Sequence, residues 1–402
     1  MAKSKCLTCV WEDEHDKKVD NSRTNKAWGR KVGVSEASIR RHKDHSPVIE
    51  QVAAFTDDDG DLLASAVDIP MEFVTSRGMS LRDPVTGSWQ KMTWHPNRKA
   101  LHDSLQYDDL KESLEGWKPD PFWALAGDSH DPTHQSERVS VLNMADLQVG
   151  KANQRWGGTP ETISSVRRSV SRFAEYVVYH SVKTVVLVDN GDPIENVWNT
   201  PAQLVTNDLD VPAQIRTFRR LVLETMKTIA PHVDELYYVS IPSNHGQART
   251  GYKSPGGTVD ADFGLEISHQ LEDATKENPH LQHITYVRPE PLDETAVLEI
   301  ANTKLAFNHG HQSGGIFKHG QWWKGMDHGR MAGWDADIFV FGHFHTSATY
   351  QSGDGRWVVA VASSDPGSDW FTNRTGESST RGMTAFDLDP LNPGVPQNVR
   401  VI

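Results

Sequence analysis

The sequence predicts an α/β protein, because short apolar runs alternate with longer segments of helical period through its second half. Apolar residues recur at helical spacing in residues 162–180 and 211–230, which predicts two amphipathic helices. Five apolar runs have the length and the composition of buried strands, and each carries or leads into Asp, Asn or His. They cover residues 139–146, 184–189, 236–241, 305–308 and 338–341.

The last of these runs leads into Gly342-His343-Phe344-His345. Side chains two residues apart in an extended segment point the same way, so His343 and His345 can face one pocket at the carboxyl edge of a sheet. Paired imidazoles suit a metal ion, although a lone His-x-His also occurs in structural roles. The other four runs lead into Asp146-Leu147-Gln148, Asn190-Gly191-Asp192, Asn244-His245 and His309-Gly310-His311.

In this order, the five segments resemble the motifs of the calcineurin-like metallophosphoesterases, and within them phage and bacterial proteins similar to DNA-repair exonucleases. The resemblance covers residues 137–390. Gln148 departs from it, since the family usually has His there, and Ser243 and Gly246 replace the Gly and the acidic residue that flank the Asn-His pair. The resemblance implies a four-layer sandwich, in which two facing mixed sheets are flanked by helices.

The resemblance further implies two divalent metal ions that share the carboxylate of Asp192. The first ion is then held by Asp146, Gln148, Asp192 and His345. The second is held by Asp192, Asn244, His309 and His343. An amide oxygen is a harder ligand than imidazole, so Gln148 favours Mn²⁺, with Mg²⁺, Fe and Zn²⁺ as alternatives.

By the same resemblance, His245 is a catalytic residue together with Asp192, and it stabilises the transition state or protonates the leaving oxygen. Imidazole suits that role near neutral pH. Three further side chains are candidates for substrate contact. Arg249 and Lys253 follow His245 in a Gly-containing loop and could hold a phosphate or simply be solvated, and His311 follows the His-Gly motif.

The sequence of residues 1–46 predicts a separate module with one structural zinc ion. Two short helices around a glycine turn indicate a helix-turn-helix, and the segment carries eleven Lys and Arg against seven Asp and Glu. Cys6, Cys9, His42 and His45 could complete the zinc site, and His15 is a competing ligand. The alternative is that both cysteines are free thiols. The module resembles short zinc-stabilised helix-turn-helix modules of phage and bacterial proteins.

Residues 47–136 begin as an acidic stretch that is typical of a solvated linker. A turn sequence at residues 83–87 predicts strands on both sides of it, so we expect a small β-containing insertion before the metallophosphoesterase domain of residues 137–402. The chain has no run of eighteen apolar residues, and its start lacks a signal-peptide pattern. We therefore expect a cytoplasmic protein without a membrane partner, in the host cytoplasm if it is phage-encoded.

Three functions are compatible with these patterns. The leading hypothesis is a metal-dependent phosphodiesterase that cleaves DNA, with residues 1–46 as a DNA tether. The second is a phosphodiesterase for a nucleotide or cyclic nucleotide. The third is a DNA-binding regulatory protein with a vestigial catalytic domain, which the departure at Gln148 favours. The net charge of −13 argues against a surface that coats nucleic acid non-specifically. The sequence is compatible with a homodimer as well as with a monomer.

Overall fold

The computed structural model describes residues 78–82, 89–93, 108–119, 136–153, 155–198, 206–251, 254–365, 367, 372–373 and 379–402. The chain divides into two compact units, Met1–Leu101 and His102–Ile402. In the first unit, strands β1 (Gly78–Arg82) and β2 (Trp89–Thr93) pair antiparallel as a hairpin. The strands predicted on both sides of residues 83–87 are therefore present. The module of residues 1–46 lies outside the described residues.

The second unit begins with helix α1 (Asp108–Leu114), which the sequence pattern does not predict. At seven residues the helix is too short to show a clear helical period. Leu110 and Leu114 are buried in the core of this unit, and Asn278 Nδ2 donates to the Leu114 carbonyl at 3.1 Å. The helix is thus fixed by packing against distant parts of the chain.

The larger sheet has six strands in the order β15-β14-β3-β4-β5-β8. Strands β3, β4, β5 and β8 run parallel, whereas β14 and β15 are antiparallel additions at one side, so the sheet is mixed. The strands are β3 (Ser136–Met144), β4 (Val182–Asp189), β5 (Glu235–Ser240), β8 (Ile284–Val287), β14 (Thr384–Leu388) and β15 (Gln397–Val401).

The smaller main sheet has five strands in the order β12-β13-β11-β10-β9. Its centre is parallel and both of its edge strands are antiparallel. The strands are β9 (Ala296–Ile300), β10 (Thr303–Asn308), β11 (Ile338–Phe341), β12 (Ala348–Gln351) and β13 (Trp357–Ala360). The short strands β6 (Arg249–Gly251) and β7 (Ser254–Pro255) form a separate ribbon.

Four longer helices accompany the two sheets. Asp210 and Asp262 cap two of them, since their side chains accept from backbone N–H groups of the first turn. The helices are α2 (Thr159–Tyr179), α3 (Val211–Ile229), α4 (Phe263–Lys276) and α5 (His319–Gly329). The two helices predicted from apolar periodicity are α2 and α3.

Three apolar layers separate the elements of the second unit. One layer lies between the six-stranded sheet and helices α2, α3 and α4. Another joins the two sheets, where Val186 and Val188 of β4 share a cluster with Phe307 of β10 and Val340 of β11. The last lies between the five-stranded sheet and α5, around Trp323. The predicted α/β four-layer sandwich is therefore confirmed.

Among the described residues, none of the helices has the length and apolar character that crossing a membrane requires.

Candidate metal centre

The five motif segments meet where the carboxyl ends of the two sheets come together. Within the six-stranded sheet, the Asp146 N–H donates to the Gly191 carbonyl at 3.0 Å and the Gln148 N–H to the Asp192 carbonyl at 2.9 Å. Between the sheets, the His343 N–H donates to both carboxylate oxygens of Asp146, at 3.0 and 2.9 Å. The Asp146 carboxylate, which follows β3, thus fixes the turn that follows β11.

Residues in the left-handed backbone conformation change the direction of the chain at these strand ends. Positive φ angles occur at Asp146 (51°), Gln148 (41°), Asp192 (52°), His343 (69°) and His345 (54°). Asp and His tolerate this region better than most residues, whereas Gln does not share that tolerance. Five of the seven predicted metal ligands are therefore held in a conformation that most side chains avoid.

Asp192, His309 and His343 form a compact group of potential ligands. One ligand atom from each lies within 4.8 Å of the other two. His309 Nε2 is 3.2 Å from Asp192 Oδ2 and 3.3 Å from His343 Nδ1. The other ring nitrogen of His309 donates to the Asn190 carbonyl at 2.9 Å, which leaves Nε2 to accept a metal ion.

Asn244 supplies the observation that tests whether this group fits a metal. Its Oδ1 is buried and has no hydrogen-bond partner among the described residues. A buried polar atom without a partner costs about 1–3 kcal/mol, so such an atom usually has a ligand. The amide oxygen, one carboxylate and two imidazoles make a mixed oxygen and nitrogen set that fits a divalent ion. This is the set that the family resemblance implies for the second ion.

The electrostatics of the group favour a bound cation. Burial alone raises the pKa of Asp192, but His309 and His245 outweigh it and hold that pKa well below its usual range. Burial lowers the pKa of His309, yet the Asp192 carboxylate outweighs it and raises that pKa to about 9. Burial and the neighbouring His309 lower the pKa of His343 to about 3. A bound metal ion would take the place of the His309 proton, because imidazole ligates in its neutral form.

Ser243, one of the three residues that depart from the family pattern, holds this loop together. Its hydroxyl accepts from the Asp192 N–H at 2.8 Å and from the Gly246 N–H at 3.1 Å. A Cβ on Gly191, which has φ 89°, would come within 2.6 Å of Ser243 Cβ. Ser243 and Gly191 therefore fit each other, and the substitution of Ser for Gly preserves the position of Asp192.

His245 lies beside Asp192 and is oriented by Glu195. Its N–H donates to Asp192 Oδ1 at 2.8 Å, and its Nδ1 is 3.0 Å from the Glu195 carbonyl and 3.3 Å from Glu195 Oε2. Burial lowers the pKa of His245, but Asp192 and Glu195 outweigh it and raise that pKa to about 9. Glu195 was not predicted as a site residue, although its position three residues after Asp192 is a signal that could have found it.

The residues implied for the first ion are near one another but engaged differently. His345 Nε2 is 3.6 Å from Asp146 Oδ1, and His345 Nδ1 is 3.2 Å from Asp365 Oδ2. The amide oxygen of Gln148 accepts from Lys151 Nζ at 2.7 Å. Lys151 also pairs with Asp365. Lys151 and Asp365 were not predicted as site residues, since no local pattern marks a contact between residues 214 positions apart.

Two of the three predicted substrate contacts lie next to the group. Arg249 Nη2 donates to the Asn244 carbonyl at 2.9 Å, and its Nε is buried without a partner among the described residues. The His311 ring centroid is 5.6 Å from that of His309, and burial lowers the His311 pKa to about 4. Lys253, Cys6, Cys9, His42 and His45 lie outside the described residues.

Comparison with known proteins gives distant similarities. No family model matches the chain. An SPbeta prophage-derived uncharacterized protein, YonJ of Bacillus subtilis, is 22% identical over 227 residues, which cover 54% of this chain and 53% of that protein. The chain thus spans about half the length of the curated relative it matches.

Two solved structures illustrate the structural similarity. Wild-type Vps29 of Entamoeba histolytica, solved in complex with Zn²⁺, has 13% identity and a TM-score of 0.28, over 61% of this chain and 84% of its own. A predicted phosphoesterase of Streptococcus pneumoniae has 13% identity and a TM-score of 0.26, over 63% of this chain and 84% of its own.

Proposed function

We propose that the protein is a metal-dependent phosphoesterase that hydrolyses phosphodiester bonds, with DNA as its substrate. The observation that carries the proposal is the group of Asp192, His309 and His343 beside the buried, unpartnered Asn244 Oδ1, with His245 next to it. Metal ligands and an imidazole acid at one strand edge are the parts that phosphoester hydrolysis needs.

Each residue has a distinct task in this proposal. Asp192, Asn244, His309 and His343 would hold the ion, for which we propose Mn²⁺. A bound divalent ion supplies charge screening at the phosphoryl oxygens and an ionised water at neutral pH. His245, oriented by Glu195, is positioned to give a proton to the leaving oxygen. Arg249, whose guanidinium donates to the Asn244 carbonyl, is the candidate for contact with a phosphate oxygen. The first ion, implied at Asp146, Gln148, Asp192 and His345, is not needed for these tasks.

The preference for DNA rests on the charge distribution. Residues 1–46 carry a net charge of +4 within a chain of net charge −13, so a basic tether could offset the repulsion between DNA and the acidic remainder. The similarity to a prophage-derived protein supports a phage origin and thus action in a host cytoplasm. The acidic remainder itself favours the second candidate, a phosphodiesterase for a nucleotide or cyclic nucleotide. A vestigial domain is disfavoured by the intact ligand group.

Replacement of Asp192 tests the proposed centre. Asp192→Ala should abolish both Mn²⁺ binding at the group and Mn²⁺-dependent hydrolysis of a small phosphodiester, because the variant loses the only carboxylate of the Asp192–His309–His343 group. The matched control is Asp234→Ala, at a carboxylate with a 71% exposed side chain. Metal content by elemental analysis and initial rates in the presence of Mn²⁺ are the measurements. Full activity in Asp192→Ala would rule out this centre as the site of hydrolysis.

A substrate panel tests the preference for DNA. Single-stranded DNA, duplex DNA, a cyclic nucleotide and a small aryl phosphodiester should be compared at equal phosphodiester concentration. We expect the highest rate per enzyme on DNA. A rate on the cyclic nucleotide that exceeds the rates on both DNA forms would shift the proposal to the second candidate.

A further inference from the structure

Lys151 occupies the part of the centre that the family resemblance assigns to the first ion. Its ammonium is 2.7 Å from the amide oxygen of Gln148 and pairs with the carboxylate of Asp365. The side chains of Lys151 and Asp365 are 17% and 1% exposed, so the pair is largely shielded from solvent. Gln148 can ligate a metal only through that oxygen, which here points to a fixed cation.

The other residues implied for the first ion are also engaged. Both carboxylate oxygens of Asp146 accept from the His343 N–H. His345 is placed between two carboxylates, with Nδ1 3.2 Å from Asp365 Oδ2 and Nε2 3.6 Å from Asp146 Oδ1. Among the described His, Cys, Asp and Glu residues, the atoms that gather closely enough for a metal are those of Asp192, His309 and His343.

The network around Lys151 is built into the fold. The Asp365 N–H donates to Ser363 Oγ at 2.9 Å, and that hydroxyl donates to the Asp146 carbonyl at 2.6 Å. Asp365 is therefore tied to the same strand end as Asp146, and its carboxylate contacts the same ammonium of Lys151 that Gln148 contacts. The residues present fit an ion at Asp192, Asn244, His309 and His343, but they do not fit the first ion at Gln148.

We propose that this protein has a centre of one metal ion, in which the Lys151 ammonium replaces the first ion as the fixed positive charge. Gln148, at the position where the family usually has His, is then the hydrogen-bond partner of Lys151. An amide oxygen accepts from an ammonium, whereas a metal-ligating imidazole does not. The role of the lysine toward a substrate phosphoryl group rests on the proposed function. The number of bound ions is independent of the substrate, and it can be measured without one.

Electron paramagnetic resonance of Mn²⁺ in the full-length, metal-stripped protein tests the inference. The wild type should bind one Mn²⁺ tightly and show the spectrum of an isolated ion. Lys151→Ala should bind a second Mn²⁺ at least about tenfold more tightly than the wild type does and show spin coupling between the ions, because Gln148 Oε1 is released. Lys151→Arg should retain one ion. Lys183→Ala, at a lysine near Asp234 on the surface, is the control and should match the wild type.

Each contrary outcome has a distinct meaning. Two spin-coupled ions in the wild type would overturn the one-ion centre and leave the proposed function intact. A Lys151→Ala protein that folds, as judged by circular dichroism, but still binds one ion would show that Lys151 does not replace the first ion. Failure of the wild type to bind Mn²⁺ at all, with Zn²⁺ and Fe²⁺ also negative, would overturn the proposed function as well.

Discussion

At the scale of single residues, His245 and Glu195 form the pair that we propose as the acid of the centre. Glu195 Oε2 and the Glu195 carbonyl both face His245 Nδ1, so the ring is oriented with Nε2 toward Asp192, 3.9 Å from Oδ2. Burial lowers the His245 pKa, but the Asp192 and Glu195 carboxylates outweigh it and raise that pKa to about 9. A raised pKa favours the protonated imidazole at neutral pH, as the proposed role requires.

Glu195→Gln should move the alkaline limb of the rate profile to lower pH. An acid must be protonated to act, so activity is present below the His245 pKa and is lost as pH rises through it. Removing one carboxylate lowers that pKa, and activity should then fall at a lower pH than in the wild type. The measurement is hydrolysis of a small phosphodiester from pH 6 to 10 in Mn²⁺. Identical alkaline limbs would show that Glu195 does not set the protonation of His245.

His245→Ala should lower the hydrolysis rate by about 10²–10⁴-fold while leaving Mn²⁺ binding in place. The ring contributes a proton and is not among the residues that hold the ion. A matched control is His283→Ala, at a histidine whose Nε2 contacts the Ala230 carbonyl at 3.2 Å. A loss of bound metal in His245→Ala would instead place this histidine among the ligands.

The ligand group could be predicted from sequence, but its surroundings could not. Asp192, His309 and His343 each follow shortly after an apolar run, and that context is visible in the sequence. Lys151 pairs with Asp365 across 214 positions, and no local pattern marks either residue. Chain folding alone brings this pair together, so a tertiary contact of this kind lies beyond sequence reasoning.

At the scale of elements, two buried carboxyls lie where β4 meets the start of α4. Asp189 ends β4, and Asp262 caps α4 while also accepting from the Ser243 N–H at 2.9 Å. Burial raises the pKa of Asp189 to about 8 and that of Asp262 to about 7. Charge repulsion from Asp262 also raises the pKa of Asp189, and repulsion from Asp192 raises that of Asp262, so this junction resists ionisation.

Asp189→Asn should flatten the pH dependence of stability. A carboxyl whose folded pKa is raised stabilises the fold below its unfolded value, near 4, and that contribution is lost as pH rises toward 8. The free energy of unfolding of the variant, relative to the wild type, should therefore increase from pH 5 to 8.5. Urea unfolding in the presence of a chelator measures it, with Asp234→Asn as the exposed control. Parallel pH profiles of variant and wild type would contradict the assignment.

We expect truncation of a side chain in the apolar layer between the two sheets to lower the free energy of unfolding strongly. Phe307 of β10 is fully buried in it, so Phe307→Ala should lower the free energy of unfolding by about 3–5 kcal/mol. Phe317→Ala, at a ring that is 72% exposed, is the matched control and should change stability little. Chemical denaturation of both variants is the measurement. Equal, small effects would mean that the layer repacks around the deleted ring.

At the scale of the whole molecule, the order of the central elements could be predicted and several of the elements beside them could not. Strands β3, β4, β5, β10 and β11 and helices α2 and α3 follow from apolar runs and helical period. Strands β8, β12 and β15 were not predicted, and β12 and β15 are half-exposed edge strands without a continuous apolar run. Helix α1 was missed for a similar reason, since Leu110 and Leu114 are those of its described side chains that reach the core.

Deleting residues 1–46 should weaken activity on long DNA and flatten its salt dependence, because the segment carries a net charge of +4 in an acidic chain. Hydrolysis of a small phosphodiester should barely change. Initial rates on both substrates across a salt series are the measurement. Equal rates on long DNA with and without the segment would remove the tether from the proposal.

The left-handed conformations of five residues at the ends of strands β3, β4 and β11 bear on the stability of this protein. Such a conformation costs a residue with a side chain about 1–2 kcal/mol, against a total stability of about 5–15 kcal/mol. Glycine would be free of that steric cost, yet none of Asp146, Gln148, Asp192, His343 and His345 is glycine. A glycine at any of these positions would relieve backbone strain but remove a candidate ligand, so the stability of the fold and the composition of the centre are opposed.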